Sequence, residues 1–199
     1  MKALVIVEIK DGKTKKASLE VVHALSAQGC EVEALAFGEN LAASSESVAD
    51  EVGKQGAKKY IPVSGAAFKY YQAEAQSSVV VETFKAGGYA ILAASATASI
   101  KDLLPTLAVK LNAGLAVDCT AIEIKGSDVK VKRPMLAGKY FAWIKFKAAP
   151  AVFSVRPNVL GVGADGGAKA AVAAQSPNLP ELKAKTTGIS GGGGAARPD

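Results

Sequence analysis

His23 is the single imidazole in a chain of 199 residues. Any Ser-His-Asp relay would have to run through it, and a metal site built from several histidines is excluded. Helical spacing sets it roughly 150° around from the Val21/Val22/Leu25 face, on the exposed side, and no acidic or serine partner is placed beside it. No catalytic role follows. Cys30 and Cys119 are too few to staple a fold and lack C-x-x-C spacing. Cys30 follows Gly29 at a helix-to-strand turn, and Cys119 sits in a β-rich stretch. Both read as small core or near-surface residues with free thiols, because nothing near them in sequence would depress a thiol pKa.

The segment Ala94-Ser95-Ala96-Thr97-Ala98-Ser99-Ile100-Lys101-Asp102 offers a different chemistry. Small hydroxyl residues ahead of a helix N-terminus can hold an anion through free N–H groups and the helix dipole. Ligands of open α/β sheets also lie at the carboxyl ends of strands. Ser95, Thr97, Ser99 and Lys101 are therefore candidate anion ligands. The competing reading is a capped loop with no ligand, and it is favoured because no phosphate-loop or dinucleotide pattern accompanies the segment. Gly161-x-Gly163-x-x-Gly166 has dinucleotide spacing. It lies beyond the last strand, however, without the helix and acidic residue that pattern needs.

The net charge of +6 is concentrated in one place. Residues 1–120 sum to −1 and 161–199 to +1, whereas 121–160 hold eight basic residues against Glu123 and Asp128. Such a block could meet an acidic partner, protein or nucleic acid. Its lysines mostly alternate with apolar residues, which favours a solvated strand face protecting a sheet edge. Phe141, Trp143 and Phe146 read as strand residues packed into a core or an interface. The strip lacks the interleaved exposed aromatics of a nucleic-acid module, so no nucleic-acid partner is expected.

The elements that must position these residues alternate. Residues 3–9, 31–37, 58–63 and 89–93 read as strands, the first a nearly continuous β-branched run of the kind buried on both faces. Helical spacing covers about 15–28, 44–54, 70–86 and 102–112, with Asp102 as the expected N-cap so that Pro105 falls in the first turn. Asp11-Gly12 is a turn. This β-α alternation predicts an α/β, Rossmann-like three-layer domain with a mostly parallel sheet. After Gly114 the pattern changes. Residues 115–125, 128–133, 139–147 and 151–155 read as strands joined by hairpin turns at 126–128 and 136–138, so antiparallel strands extend the parallel unit. Hydrophobic residues make up 49%, enough to bury a core, and one domain over 1–160 is expected.

Residues 161–199 hold nine Gly, nine Ala and no aromatic residue, and read as a linker or wrapping arm. The apolar run at the N-terminus is too short for a signal peptide, and no stretch approaches the roughly 20 apolar residues of a membrane helix. A soluble protein of a reducing compartment is the default.

Several segments, in order, resemble the alpha subunit of electron transfer flavoprotein. Tyr89 to Pro105 is similar to that family's ILA-x-x-T-x-x-G-K-D-x-x-P segment, with Ile100 in place of the usual Gly. Val117-Asp118-Cys119-Thr120-Ala121 resembles its S-D-V strand, Arg133-Pro134-Met135-Leu136-Ala137-Gly138-Lys139 its RP-x-x-x-G-N/K turn, and Ser154-Val155-Arg156-Pro157 its T/S-V-RP strand end. The opening strand and Gly194 to Asp199, similar to a GRP-D/E-L junction, also fit.

The resemblance implies an N-terminal domain of the adenine nucleotide alpha hydrolase-like type that docks on a beta subunit and does not itself hold flavin. FAD would be held mainly by a C-terminal domain beyond Asp199. No FAD ligand is carried over to any residue here, and no catalytic or metal residue is expected. The implied function is a heterodimer platform in a carrier that shuttles electrons from flavin dehydrogenases to an acceptor, in the cytoplasm of a bacterium or the mitochondrial matrix of a eukaryote. Arg133, Gly138 and Arg156 are the interface or structural candidates. A stand-alone adenine-nucleotide-binding module, with residues 94–102 cradling phosphate, is the alternative, and a basic nucleic-acid binder using 125–147 is a third reading.

Overall fold

The computed structural model describes residues 1–164, 166–177 and 179–188. β1 (Lys2–Ile6) is a buried strand with Ala3 and Val5 on one face and Leu4 and Ile6 on the other, as period-2 alternation requires. Asp11 and Gly12 turn left-handed (φ 51° and 74°) between two short strands, β2 (Ile9–Lys10) and β3 (Lys13–Thr14). Then follow α1 (Lys16–Ala27), β4 (Glu31–Gly38), α2 (Ser45–Lys54), β5 (Ala57–Ser64), α3 (Ala73–Gly87), β6 (Ile91–Ser95) and α4 (Ala98–Lys110). The second half contains β7 (Gly114–Cys119), β8 (Ala121–Lys125), β9 (Asp128–Met135), β10 (Tyr140–Lys145), β11 (Ala151–Val155) and β12 (Ala171–Val172).

The central sheet has the order β12-β5-β4-β1-β6-β11-β7 with every neighbouring pair parallel. One apolar cluster joins the odd face of β1 to α1 and α2, and a second joins its even face to α3 and α4. The α/β, three-layer class expected from the alternation is thus the observed one.

The antiparallel strands form a layer of their own. β8, β9 and β10 make a separate three-stranded sheet whose inner face, with Val129, Val131, Ile144 and Phe146, packs beside α1 on the central sheet. Asp118 in a left-handed conformation (φ 61°) helps bend the chain between β7 and β8, so the run 115–125 is two strands in two sheets. The strand at 151–155 does not belong with them. It inserts in parallel between β6 and β7, and all its residues are buried, as an interior strand demands.

The helix expected from Asp102 starts four residues earlier, at Ala98, with Thr97 as its N-cap: the Thr97 Oγ1 accepts from the Ile100 N–H at 3.4 Å. Pro105 therefore lies inside α4. It sits on the exposed side, where water can serve the carbonyl it leaves without a donor, while Ile100, Leu103, Leu104 and Leu107 are buried beneath. Asp102 caps nothing and accepts a 2.6 Å hydrogen bond from the Tyr71 hydroxyl.

Of the described residues after 160, those from 171 to 175 run along the open edge of β5. Gly163 packs on the half-buried His23, where a Cβ would lie 2.2 Å from the ring, and its main chain bonds the Gln55 side chain. The Ala170 N–H donates to the Ala49 carbonyl (3.0 Å), β12 adds to β5, and Leu179 and Leu182 reach the α3/α4 cluster. The glycine run 191–194 and the junction-like Gly194 to Asp199 lie outside the described residues. Among the described residues no helix is long and apolar enough to cross a membrane.

Candidate functional site

The chain proceeds from β1 to β4 and β5 on one side, then crosses back to β6 on the other side of β1. The carboxyl ends of β1 and β6 therefore flank the switch point, where open α/β sheets hold ligands. The candidate segment 94–102 lies here, but its hydroxyls do not converge on an open cradle. Ser95 is buried, and its Oγ has no hydrogen-bond partner among the described residues. Besides capping α4, Thr97 Oγ1 donates to Glu8 Oε1 at 3.1 Å. The Glu8 carboxylate in turn takes Lys15 at 3.3 Å, and the Glu8 N–H donates to the Ser18 hydroxyl oxygen at 3.0 Å. Ser99 lines a cleft of about 160 Å³ beside Glu8, Lys15, Phe37 and Tyr71. Lys101 is exposed, and its ammonium makes no bond within the described residues. A carboxylate and a committed threonine thus occupy the place where a phosphate would meet the helix N-terminus.

Of the three candidates from the second half, Arg156 follows β11 at the far end of the same carboxyl edge, whereas Arg133 and Gly138 belong to the separate antiparallel sheet. Arg156 forks onto Asp118, with Nε to Oδ1 at 3.2 Å and the terminal nitrogen to Oδ2 at 2.7 Å, while its N–H donates to the Cys119 carbonyl at 2.8 Å. The Asp118 N–H bonds the Ser154 hydroxyl at 3.0 Å, so β7 and β11 are tied at their ends. The Arg156 fork holds the Asp118 carboxyl below the usual carboxylate range against the effect of burial, and the charges of Lys101 and Arg133 add to it. Arg133 is half-buried on β9 with no hydrogen bond or ion pair among the described residues. Gly138 (φ 85°) completes a run of three left-handed residues that turns β9 into β10. Burial pushes the Cys119 thiol up to about 12, and it raises that of Cys30 also, which keeps both sulfurs inert. No cluster of three or more metal-ligating side chains occurs among the described residues.

One feature escapes the sequence reading and another corrects it, since the basic strip carries exposed aromatics after all. Glu33, buried in β4, gathers Lys2 (2.8 Å), Lys59 (3.2 Å) and the Tyr89 hydroxyl. Burial raises its carboxyl, but these hydrogen bonds outweigh it and hold the pKa low. The other is the outer face of the β8–β9–β10 sheet. Phe146 packs inward, its ring 6.2 Å from Phe153, but Phe141 and Trp143 are more than half exposed on the opposite face. Period 2 separates them from Ala142 and Ile144; which face stays open is decided only by what packs beneath.

The chain matches the family model described as electron transfer flavoprotein domain over residues 3–185. It is 31% identical to an electron transfer flavoprotein subunit alpha of Syntrophomonas wolfei, covering 98% of this chain and 66% of the relative. It is similarly 31% identical to the subunit of that name in Bacillus subtilis, over 79% of this chain and 48% of the relative, and 29% identical to that of Pseudomonas aeruginosa, over 100% and 67%. The chain thus spans about half to two thirds of the length of these relatives.

Proposed function

The chain belongs to the electron transfer flavoprotein domain family, and from that premise we propose that it serves as the alpha-side platform of an electron-carrying flavoprotein. In this reading residues 1–160 form the platform domain. A beta-type subunit pairs with it, FAD is held outside the described residues, and electrons pass from flavin dehydrogenases to an acceptor. The carrier works in the cytoplasm of a bacterium or the matrix of a mitochondrion.

The observation that carries the reading is the Glu8–Thr97 hydrogen bond across the switch point. The residues there do not fit a flavin or adenine nucleotide. A carboxylate faces the position a pyrophosphate would take, and the threonine is committed to capping α4. A fold that fills its own ligand crevice supports a scaffold role, since the flavin supplies the redox chemistry and the protein its position. Arg156 then acts as a structural clamp, Gly138 holds the left-handed turn between β9 and β10, and Arg133, half-buried without a hydrogen bond or ion pair among the described residues, contributes an interface contact.

Calorimetric titration of the purified chain with FAD, AMP and ATP, followed by light scattering with the beta-type subunit, tests this. The expected outcome is no saturable nucleotide heat, no visible absorbance and a 1:1 complex. Stoichiometric AMP or ATP binding by the chain alone would overturn it in favour of a nucleotide-binding module.

A further inference from the structure

We propose that Arg133 and Lys101 form a receptor for a small tetrahedral dianion, inorganic phosphate or sulfate, where the antiparallel sheet meets the carboxyl ends of β11 and β7. This goes beyond the platform reading, in which Arg133 meets a partner surface. Here the anion is taken up by the chain alone, and a partner then meets an arginine already neutralised. Main-chain bonds bring the site together from three segments. The Thr120 N–H donates to the Lys132 carbonyl at 2.7 Å, which sets β9 beside the end of β7. The Arg156 N–H donates to the Cys119 carbonyl at 2.8 Å, which ties the end of β11 to the same place. The Ala96 N–H donates to the Val155 carbonyl at 2.7 Å, which sets the entry to α4 beside them. Arg133 shares the inner face of β9 with Val129 and Val131, and its register partner on β10 is Ala142, whose short side chain leaves the guanidinium room.

The charges at this corner do not balance. Its carboxylate is Asp118, and Arg156 neutralises that group with a two-pronged fork. Arg133 and Lys101 stand near enough for their charges to act on the same carboxyl. Neither has a hydrogen bond or ion pair from its side chain among the described residues. Lys101 is exposed to water, but Arg133 is half-buried, and a guanidinium withdrawn from water without a counter-charge is costly. An anion from solution removes that cost. Arg133 offers a planar fork of N–H donors that suits two oxygens of one oxyanion, and Lys101 adds a point charge. Two uncompensated positive charges select a dianion over chloride or a monocarboxylate. The crevice that Glu8 fills lies on the other side of β6 and takes no part.

The chain contains three arginines, Arg133, Arg156 and Arg197. A ¹⁵N-labelled sample therefore gives three Nε–Hε resonances, and Arg133→Gln identifies the one of interest by its loss. Inorganic phosphate, and separately sulfate, is titrated at constant ionic strength with chloride as the control. Each is expected to move the Arg133 resonance along a one-site curve with half-saturation at about 1 mM. Phosphate should also raise the melting midpoint above its value in chloride, because it binds only the folded chain. Arg133→Gln removes an unpaired charge, so its midpoint in chloride should be no lower than that of the wild type. The phosphate concentration needed to raise that midpoint should increase about 10-fold or more. Lys101→Ala, at an exposed position, should increase it about 2- to 5-fold. An Arg133 resonance unmoved by phosphate and sulfate, or a phosphate response that Arg133→Gln leaves intact, would overturn the receptor while leaving the platform reading in place. An equal response to chloride would reduce the effect to ionic screening and overturn it as well.

Discussion

Asp118 takes a left-handed backbone conformation that a non-glycine residue adopts at a cost, and Arg156 is the residue that fixes it there. The fork is planar and two-pronged, so charge alone does not replace it. Arg156→Lys should therefore lower the urea midpoint less than Arg156→Ala but still measurably; equal midpoints for Lys and Arg would show that geometry is unimportant. Asp118 and Glu33 share one electrostatic sign, since both carboxyls titrate lower in the folded protein than as free groups. Each contributes stability that is present above the unfolded carboxylate pKa and is lost as pH falls through the folded value. Glu33→Gln leaves Lys2 and Lys59 without their common counter-charge and should cost about 1–3 kcal/mol near neutral pH. The gap from the wild type should close as pH falls through the folded value of Glu33, below which the wild-type carboxyl is itself protonated. Urea midpoints across that range decide the point, and a gap independent of pH would assign the loss to packing instead.

At the scale of elements, α4 shows how packing outranks a local rule. Placing Pro105 in a first turn makes Asp102 the natural cap, yet the observed helix starts at Thr97 because Ile100 then joins Leu103, Leu104 and Leu107 on the buried side. Thr97→Ala should cost about 1 kcal/mol in thermal or urea unfolding, whereas Asp102→Ala, which loses only an exposed bond from Tyr71, should be close to neutral. The reverse order would restore Asp102 as the cap. The parallel strands were legible because β1 and its neighbours are apolar on both faces, a pattern carried by single residues along the chain. The split between β7 and β8 was not, since it depends on the backbone at Asp118, and neither was the place of β11, since its partners β6 and β7 lie far off in sequence. For the candidate site, the hydroxyls of 95–99 stood out by type. The carboxylate that fills their crevice, Glu8, comes from 89 residues before Thr97 and could be seen only in three dimensions.

For the molecule as a whole, the least legible part is the segment after residue 160. Composition measures side chains, and a Gly- and Ala-rich stretch reads as having little to bury. The segment attaches largely through its main chain, which composition does not weigh: Gly167 to the Lys54 carbonyl, Ala170 to Ala49, Ala173 to Tyr60 and Gln175 to Pro62. Small residues suit this because the two backbones nearly touch. A Cβ on Gly167 would meet the Gly53 carbonyl oxygen at 2.0 Å, whereas one on Gly166 would find nothing closer than 3.8 Å. Gly167→Ala is therefore expected to destabilise by about 1–3 kcal/mol through forced displacement of main chain, and Gly166→Ala to be neutral. Hydrogen exchange locates the effect. In Gly167→Ala, amides of 166–177 and of the β5 edge should lose protection while β1 and β6 keep theirs, because only the edge strand depends on β12 as a neighbour. Equal exchange in the two variants would mean that the segment rests on the sheet edge without holding it, and that β5 is stable as an open edge.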